Sequence, residues 1–216
     1  MVKIFLIAGM GADTRIFNNI ELPENYDIIP VDWIPHHETD TLDTYAQKII
    51  YHYDIKPNSI VAGNSLGGML AIEIAKKINL KKTILISSIK TINEAPGYFK
   101  TFRTIPVYKI IPDWLIHSSG ILIKPIFGKM SDTELWLFKD MLQKNSPAFI
   151  KWAMGAVLKW DNWVIPPTVY HIHGDSDTIF PHKKIKDATV VKSGTHIMIF
   201  DKAKQINKWL KPLLKK

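Results

Sequence analysis

The N-terminal half of the chain alternates short β-branched runs with amphipathic stretches, the pattern of strands joined by crossover helices around a parallel sheet. Lys3–Ala8, Ile28–Val31, Ser59–Ala62 and Thr83–Ser87 are predicted strands, and their apolar residues are too continuous for a sheet with one wet face. Leu42–Tyr53 and Leu66–Ile78 read as helices between them. In the second, Met69, Ile72, Ile74, Ala75 and Ile78 form an apolar stripe, while Glu73, Lys76 and Lys77 are predicted to face water. The rhythm returns late in the chain, with Thr168–Ile172 and Thr189–Lys192 as strands and Lys202–Leu214 as a last helix. That helix carries Ile206, Trp209, Leu210 and Leu213 as its docking stripe. The predicted class is α/β, with about six mostly parallel strands flanked by helices.

Residues 89–165 break the rhythm. They carry prolines at 96, 106, 112, 125 and 147, and five of the seven tryptophans, Trp114, Trp136, Trp152, Trp160 and Trp163. With Phe99, Phe102, Tyr108, Phe127, Phe138 and Phe149, these would strand a large apolar area unless packed, so the stretch is not a polar linker. It reads as a mostly helical cap inserted after the fourth strand, leaving residues 1–88 and 166–216 as the core.

Composition narrows the chemistry. A length of 216 residues against roughly 150 per domain suggests one domain with an embellishment. With 46% hydrophobic residues the chain can bury its own core. The absence of cysteine excludes disulfides, thiolate nucleophiles and Cys-ligated metals. The net charge of +8 favours acidic partners, but only Arg15 and Arg103 are arginines, and no basic cluster with interleaved aromatics is present, so nucleic acid is not an expected partner. No apolar run reaches the ~20 residues of a membrane span. The apolar start, Ile4 to Met10, is short for a secretory signal, so a cytoplasmic protein without stable membrane anchoring is expected.

The sharpest motif is Gly63-Asn64-Ser65-Leu66-Gly67, placed where a predicted strand ends and a helix begins. Gly-x-Ser-x-Gly at such a junction is a nucleophile elbow: the serine sits in a tight, strained turn, and the flanking glycines let the chain double back. The turn lifts the hydroxyl clear of the sheet and aims the Leu66 amide at developing negative charge. A serine hydroxyl needs a base and an acid that orients it. Asp175 and Asp177 follow the fifth predicted strand and His196 follows the sixth, giving the chain order Ser, Asp, His.

On these residues the chain resembles a small, capped, serine-dependent α/β-hydrolase over essentially its whole length, similar to small bacterial members. The resemblance implies that Gly174, Asp177 and Pro181 match the family's acid segment, preferring Asp177 to Asp175. Gly194 and His196 match its base turn. It also implies a second oxyanion amide in the loop after the first strand, here Ala8-Gly9-Met10-Gly11, which points to Met10. The histidine usual in that loop is replaced by Ala8, which leaves the loop without its customary brace. The two leading antiparallel strands of many relatives are not in this chain. The site implied is thus Ser65, Asp177 and His196, the Met10 and Leu66 amides, and the structural glycines Gly9, Gly63 and Gly67. No cofactor or metal is implied.

Other histidines admit plainer readings. His171 and His173 alternate on one strand, but no third ligand is evident beside them, so they read as satisfied strand histidines. His182 would share a loop with Asp177. His36 and His37 lie in a proline-flanked loop, expected to face solvent. The expected activity is hydrolysis of a carboxylic ester or thioester of an apolar acyl substrate through an acyl-enzyme. Residues 89–165 hold ten Lys or Arg against six Asp or Glu, so an alternative is an esterase or thioesterase that docks an acidic acyl carrier protein. A non-catalytic small-ligand receptor on the same fold is a third reading.

Overall fold

The structure is a computed structural model, describing residues 1–118 and 130–215. Six strands, β1 (Val2–Ile7), β2 (Tyr26–Val31), β3 (Ile60–Asn64), β4 (Lys82–Ile86), β5 (Val169–Gly174) and β6 (Thr189–Val191), form one sheet in the order β2-β1-β3-β4-β5-β6. Every pairing is parallel, from Val2 beside Tyr26 to Gly174 beside Val191. Burial follows position. Ile4, Phe5, Ile7, Ile60, Val61, Leu85 and Ile86 in the central strands are sealed from solvent on both faces, whereas the edge strands β2 and β6 leave Ile28 and Val190 exposed.

Helices α1 (Leu42–His52) and α2 (Leu66–Lys77) cross between strands. Thr41 starts α1 with a reciprocal cap: its hydroxyl accepts from the Thr44 N–H, and the Thr44 hydroxyl accepts from the Thr41 N–H. The order of strands reverses direction between β1 and β3, so the loops after both strands meet at the carboxyl edge of the sheet.

Between β4 and β5 lie α3 (Tyr98–Thr104), α4 (Asp113–Ser118), α5 (Asp132–Lys144) and α6 (Pro147–Lys159). Pro125 and Phe127 of this stretch lie outside the described residues. Serine caps at Ser131 and Ser146, the latter followed by Pro147 at the first helical position, set the starts of α5 and α6. Helix α6 is held to the core by two indole donors. Trp152 Nε1 donates to the Asp40 carbonyl at 2.9 Å, and Trp160 Nε1 donates to Glu73 Oε1 at 2.7 Å. Glu73, expected to face water, is therefore buried, because the insertion covers that face of α2. His36 likewise stacks on Trp152, with ring centroids 4.9 Å apart, instead of facing solvent, while His37 is exposed. Trp152 and Trp160 are buried as the aromatic density predicts, but Trp114, Trp136 and Trp163 are largely exposed.

The chain ends in a short helix α7 (Met198–Asp201) and α8 (Ala203–Leu214). Ile206, Leu210 and Leu214 bury one face of α8, each worth about 1.5–3 kcal/mol of removal from water. The Tyr26 hydroxyl donates to the Leu214 carbonyl at 2.9 Å and pins its end.

Candidate active site

The junction of β3 and α2 is set by crowding. A Cβ on Gly63 would stand 2.1 Å from the Gly67 carbonyl oxygen, and one on Gly67 would stand 2.1 Å from the Ile7 carbonyl oxygen, so only glycine permits the turn. Ser65 occupies its apex with φ 52° and ψ −117°, a conformation costing a non-glycine residue on the order of 1–3 kcal/mol. The surroundings hold it there. Its N–H donates to the Ile86 carbonyl at 3.0 Å, its carbonyl accepts from the Ser88 hydroxyl at 2.7 Å, and the Asn64 side chain donates to the Ile86 carbonyl at 3.2 Å. Ser65 precedes α2 but does not cap it with its side chain, which leaves Oγ for another partner.

That partner is His196. Its Nε2 lies 2.9 Å from Ser65 Oγ, and its Nδ1 lies 2.9 Å from Asp177 Oδ2. The chain thus joins three loops, those after β3, β5 and β6, through one imidazole. His196 and Asp177 are buried, while Ser65 is half-exposed. Phe180 packs edge-on against the His196 ring at 5.3 Å.

Asp177 is fixed on its other side. Oδ1 accepts the N–H groups of Ile179 at 2.8 Å and Phe180 at 2.8 Å. Burial pushes this carboxyl up, but the His196 charge and hydrogen bond, the nearby His173 and the Phe180 amide together hold it below the ordinary carboxylate value. Asp175, the rival acid, instead accepts the Ser193 N–H at 2.7 Å on the surface and does not reach the imidazole. The Tyr98 hydroxyl donates to the Ile179 carbonyl at 2.8 Å, and burial, assisted by the Asp177 charge, pushes its phenol up to about 12.

The loop after β1 runs against the serine: a Cβ on Gly9 would lie 3.2 Å from Ser65 Cβ. Met10 follows at the half-exposed rim. Leu66 opens α2, so its amide has no acceptor inside the helix.

His171 and His173 sit back to back on β5, both buried, with ring centroids 5.4 Å apart. His173 Nε2 donates to the Phe180 carbonyl at 2.8 Å and lies 3.5 Å from Asp177 Oδ2, so it supports the acid turn from below. His182 stacks over His173 at 6.4 Å and is no partner of the serine. Among the described residues no group of three or more His, Asp or Glu side chains is arranged to hold a metal ion. Among them also, no helix is long and apolar enough to cross a membrane.

Sequence reasoning did not anticipate Phe180, Ser88 or His173. Phe180 follows Asp177 by three residues, a spacing that suits an amide donating back to a turn carboxylate. The Ser88 hydroxyl and the His173 ring had no local signal.

Solved structures share this architecture at low identity. A hydrolase from Pseudomonas aeruginosa PA01 is 13% identical with a TM-score of 0.78, covering 100% of this chain and 90% of its own. An esterase from Exiguobacterium antarcticum is 18% identical with a TM-score of 0.71, covering 100% and 92%. An enol-lactonase from Burkholderia xenovorans LB400 is 14% identical with a TM-score of 0.76, covering 100% and 92%. Such identities speak for the fold alone. No curated protein matches the sequence. The model of the alpha/beta hydrolase family matches residues 4–209, nearly the whole chain. With its parallel sheet and the elbow after β3, the chain is a member of the alpha/beta hydrolase family.

Proposed function

We propose that this protein is a serine-dependent carboxylic ester hydrolase acting through an acyl-enzyme. The observation that carries the reading is the continuous hydrogen-bonded line from Ser65 Oγ through His196 to Asp177, at 2.9 Å for each link. Geometry of this kind suits one sequence of bond changes. Ser65 Oγ adds to the substrate carbonyl carbon as its proton passes to His196 Nε2. The same proton then goes to the departing alkoxide or thiolate as the ester or thioester bond breaks. Water repeats the cycle: its hydroxyl adds to the acyl carbon, its proton goes to Nε2, and Ser65 leaves with that proton returned. Asp177 holds Nδ1–H and so makes Nε2 the nitrogen that accepts the Ser65 proton.

Negative charge on the carbonyl oxygen falls to the amides of Met10 and Leu66, the former from the loop against Ser65, the latter at a helix N-terminus. The acid turn brings Phe180 beside His196, and Tyr98 of α3 packs on the same turn through the Ile179 carbonyl, which favours an apolar acyl group. An esterase and an enol-lactonase share the fold, in keeping with acyl chemistry at an ester carbonyl.

The decisive test is Ser65→Ala against a short acyl ester, together with labelling by a fluorophosphonate. The parent is expected to label at Ser65 and to turn over the ester. Ser65→Ala should lose both, with hydrolysis falling by on the order of 10⁴-fold or more, and His196→Ala should abolish rapid labelling. Hydrolysis by Ser65→Ala at the parental rate ends the proposal. Slow labelling of the parent with tight ligand retention would make the protein a receptor.

A further inference from the structure

The loop after β1 has little to brace it from within. Ala8-Gly9-Met10-Gly11 holds one side chain larger than a methyl group, and its turn is closed by a single bond, Ala12 N–H to the Gly9 carbonyl at 3.1 Å. Support comes from outside the loop: Trp33 Nε1 donates to the Ala12 carbonyl at 2.8 Å, and α5, more than a hundred residues away, meets the loop directly. Leu142 Cδ1 abuts Gly11, where a Cβ would come within 2.9 Å of it, and the Asp13 N–H meets Met141 Sδ at 3.4 Å.

Arg15 completes the junction. Its Nε and Nη2 donate to the Asp13 carboxylate at 2.9 and 2.7 Å, while Nη1 lies 2.7 Å from Asp140 Oδ2 on α5. Lys144 stands 2.8 Å from the same Asp140 oxygen, so two cations face two carboxylates. One group must meet carboxylates on two elements in fixed directions, which a planar guanidinium does and an ammonium does not. Arg15 is one of two arginines in the chain. The other, Arg103, also serves inside the insertion, donating to the carbonyls of Leu158 and Trp160.

We propose that Arg15 is a positioning residue: through Asp13 and Asp140 it fixes the loop that carries the Met10 amide to helix α5, making the insertion part of the oxyanion apparatus. The proposal rests on the reading of Ser65 as nucleophile and the Met10 amide as oxyanion donor. Its physical content is that a donor misplaced by an ångström loses most of its effect on the transition state while barely touching ground-state binding. The Arg15 and Asp140 side chains are 33% and 27% exposed, so removing either leaves no sealed, unpaired charge and the fold should persist.

The test uses Arg15→Ala, Arg15→Lys, Asp140→Ala and the Arg15→Ala/Asp140→Ala double variant. Lys56→Ala, from the exposed Lys56–Asp54 pair, is the control. Readouts are kcat and KM on a short acyl ester, inhibition by phenylboronic acid, whose tetrahedral adduct draws on the same amides, and melting temperature. Arg15→Ala should lower kcat by roughly 10-fold or more with KM within about twofold, and weaken the boronate by a similar factor. Asp140→Ala should do likewise, the double variant should be no worse than the worse single, and Arg15→Lys should recover part of the loss. Parental kcat in Arg15→Ala, a loss confined to KM, or single effects that multiply in the double variant would overturn the proposal. A parent that neither labels at Ser65 nor hydrolyses esters removes the underlying reading and this one with it. An active parent with an indifferent Arg15→Ala removes this one alone.

Discussion

Acidification from pH 7 to pH 5 should destabilise the fold through an imidazole that takes no part in the ester chemistry. His171 on β5 is buried, with Nδ1 3.4 Å from Lys90 Nζ and Nε2 without a hydrogen-bond partner among the described residues. Lys90 is itself buried against Glu94, 3.1 Å away. Burial first, then the Lys90 charge and the neighbouring His173, hold His171 well below its ordinary value of 6.5, against a weaker opposing bond from the Ser88 main chain. The unfolded chain has none of these constraints. Below pH 6.5 it therefore takes up a proton that the folded state refuses, and the free energy of unfolding falls as pH falls. One such group contributes a slope of at most ~1.4 kcal/mol per pH unit, which sets an upper bound of about 2 kcal/mol between pH 6.5 and pH 5. His173, depressed chiefly by burial, works in the same direction and window. Asp177 does not, because a carboxyl held below its ordinary 3.8 keeps its contribution until the pH drops beneath that value.

The assay is urea unfolding followed by tryptophan fluorescence at pH 7, 6 and 5, for the parent and for His171→Gln. Glutamine leaves an acceptor facing Lys90 but cannot titrate. The other histidines are common to both proteins, so the difference between the two pH profiles isolates His171. The parent should lose more stability than the variant by pH 5, by up to about 2 kcal/mol. Parallel profiles would refute the reasoning.

Three further outcomes follow from the acid turn and the insertion. Asp177→Asn should cut kcat by roughly 10³–10⁴-fold with little change in melting temperature, because the amide presents the wrong hydrogen-bond pattern to His196 Nδ1. Asp175→Asn should stay within about threefold of the parent in the same assay, since that carboxylate accepts from the Ser193 amide and the Ser176 hydroxyl at the surface and does not reach the imidazole. Trp160→Phe should cost about 1–3 kcal/mol in urea titrations, because the buried Glu73 loses the indole donor that meets it at 2.7 Å.

What could be read from the sequence was what local sterics and periodicity dictate. The six strands announce themselves as β-branched runs, with ends misjudged by a few residues: β5 runs on through His173 and Gly174, and β3 begins at Ile60. The elbow was legible because Gly63 and Gly67 are demanded by contacts within a few residues of Ser65 or with the adjoining strand β1. Glu73 was misread for the opposite reason. Helical period puts it on the polar side of α2, and the group that buries it, Trp160, lies 87 residues away. Periodicity tells which face of a helix is apolar, but not what another segment lays over the polar one. The Arg15–Asp140 link belongs to the same class: a charge whose partner depends on how the insertion docks.

The choice between Asp175 and Asp177 shows where chemistry separates from residue type. Both are carboxylates on one turn after β5, two positions apart, and composition or spacing treats them alike. A carboxylate that holds an imidazole must be both dry and immobile, since water would screen its charge and rotation would release the tautomer. Asp177 meets both conditions: the Ile179 and Phe180 amides occupy one oxygen, and Phe180 and His173 close off the other around His196. Asp175 meets neither, standing in solvent with a main-chain amide as its partner. The selectivity lies in the residues that follow Asp177, whose Ile179 and Phe180 amides fold back onto its carboxylate, while the Asp175 carboxylate stays exposed. Asp177→Asn already leaves an acid at position 175, and that acid should rescue nothing: Asp177→Asn and the Asp175→Asn/Asp177→Asn double variant should show the same residual kcat, and a higher kcat in the single variant would refute the assignment.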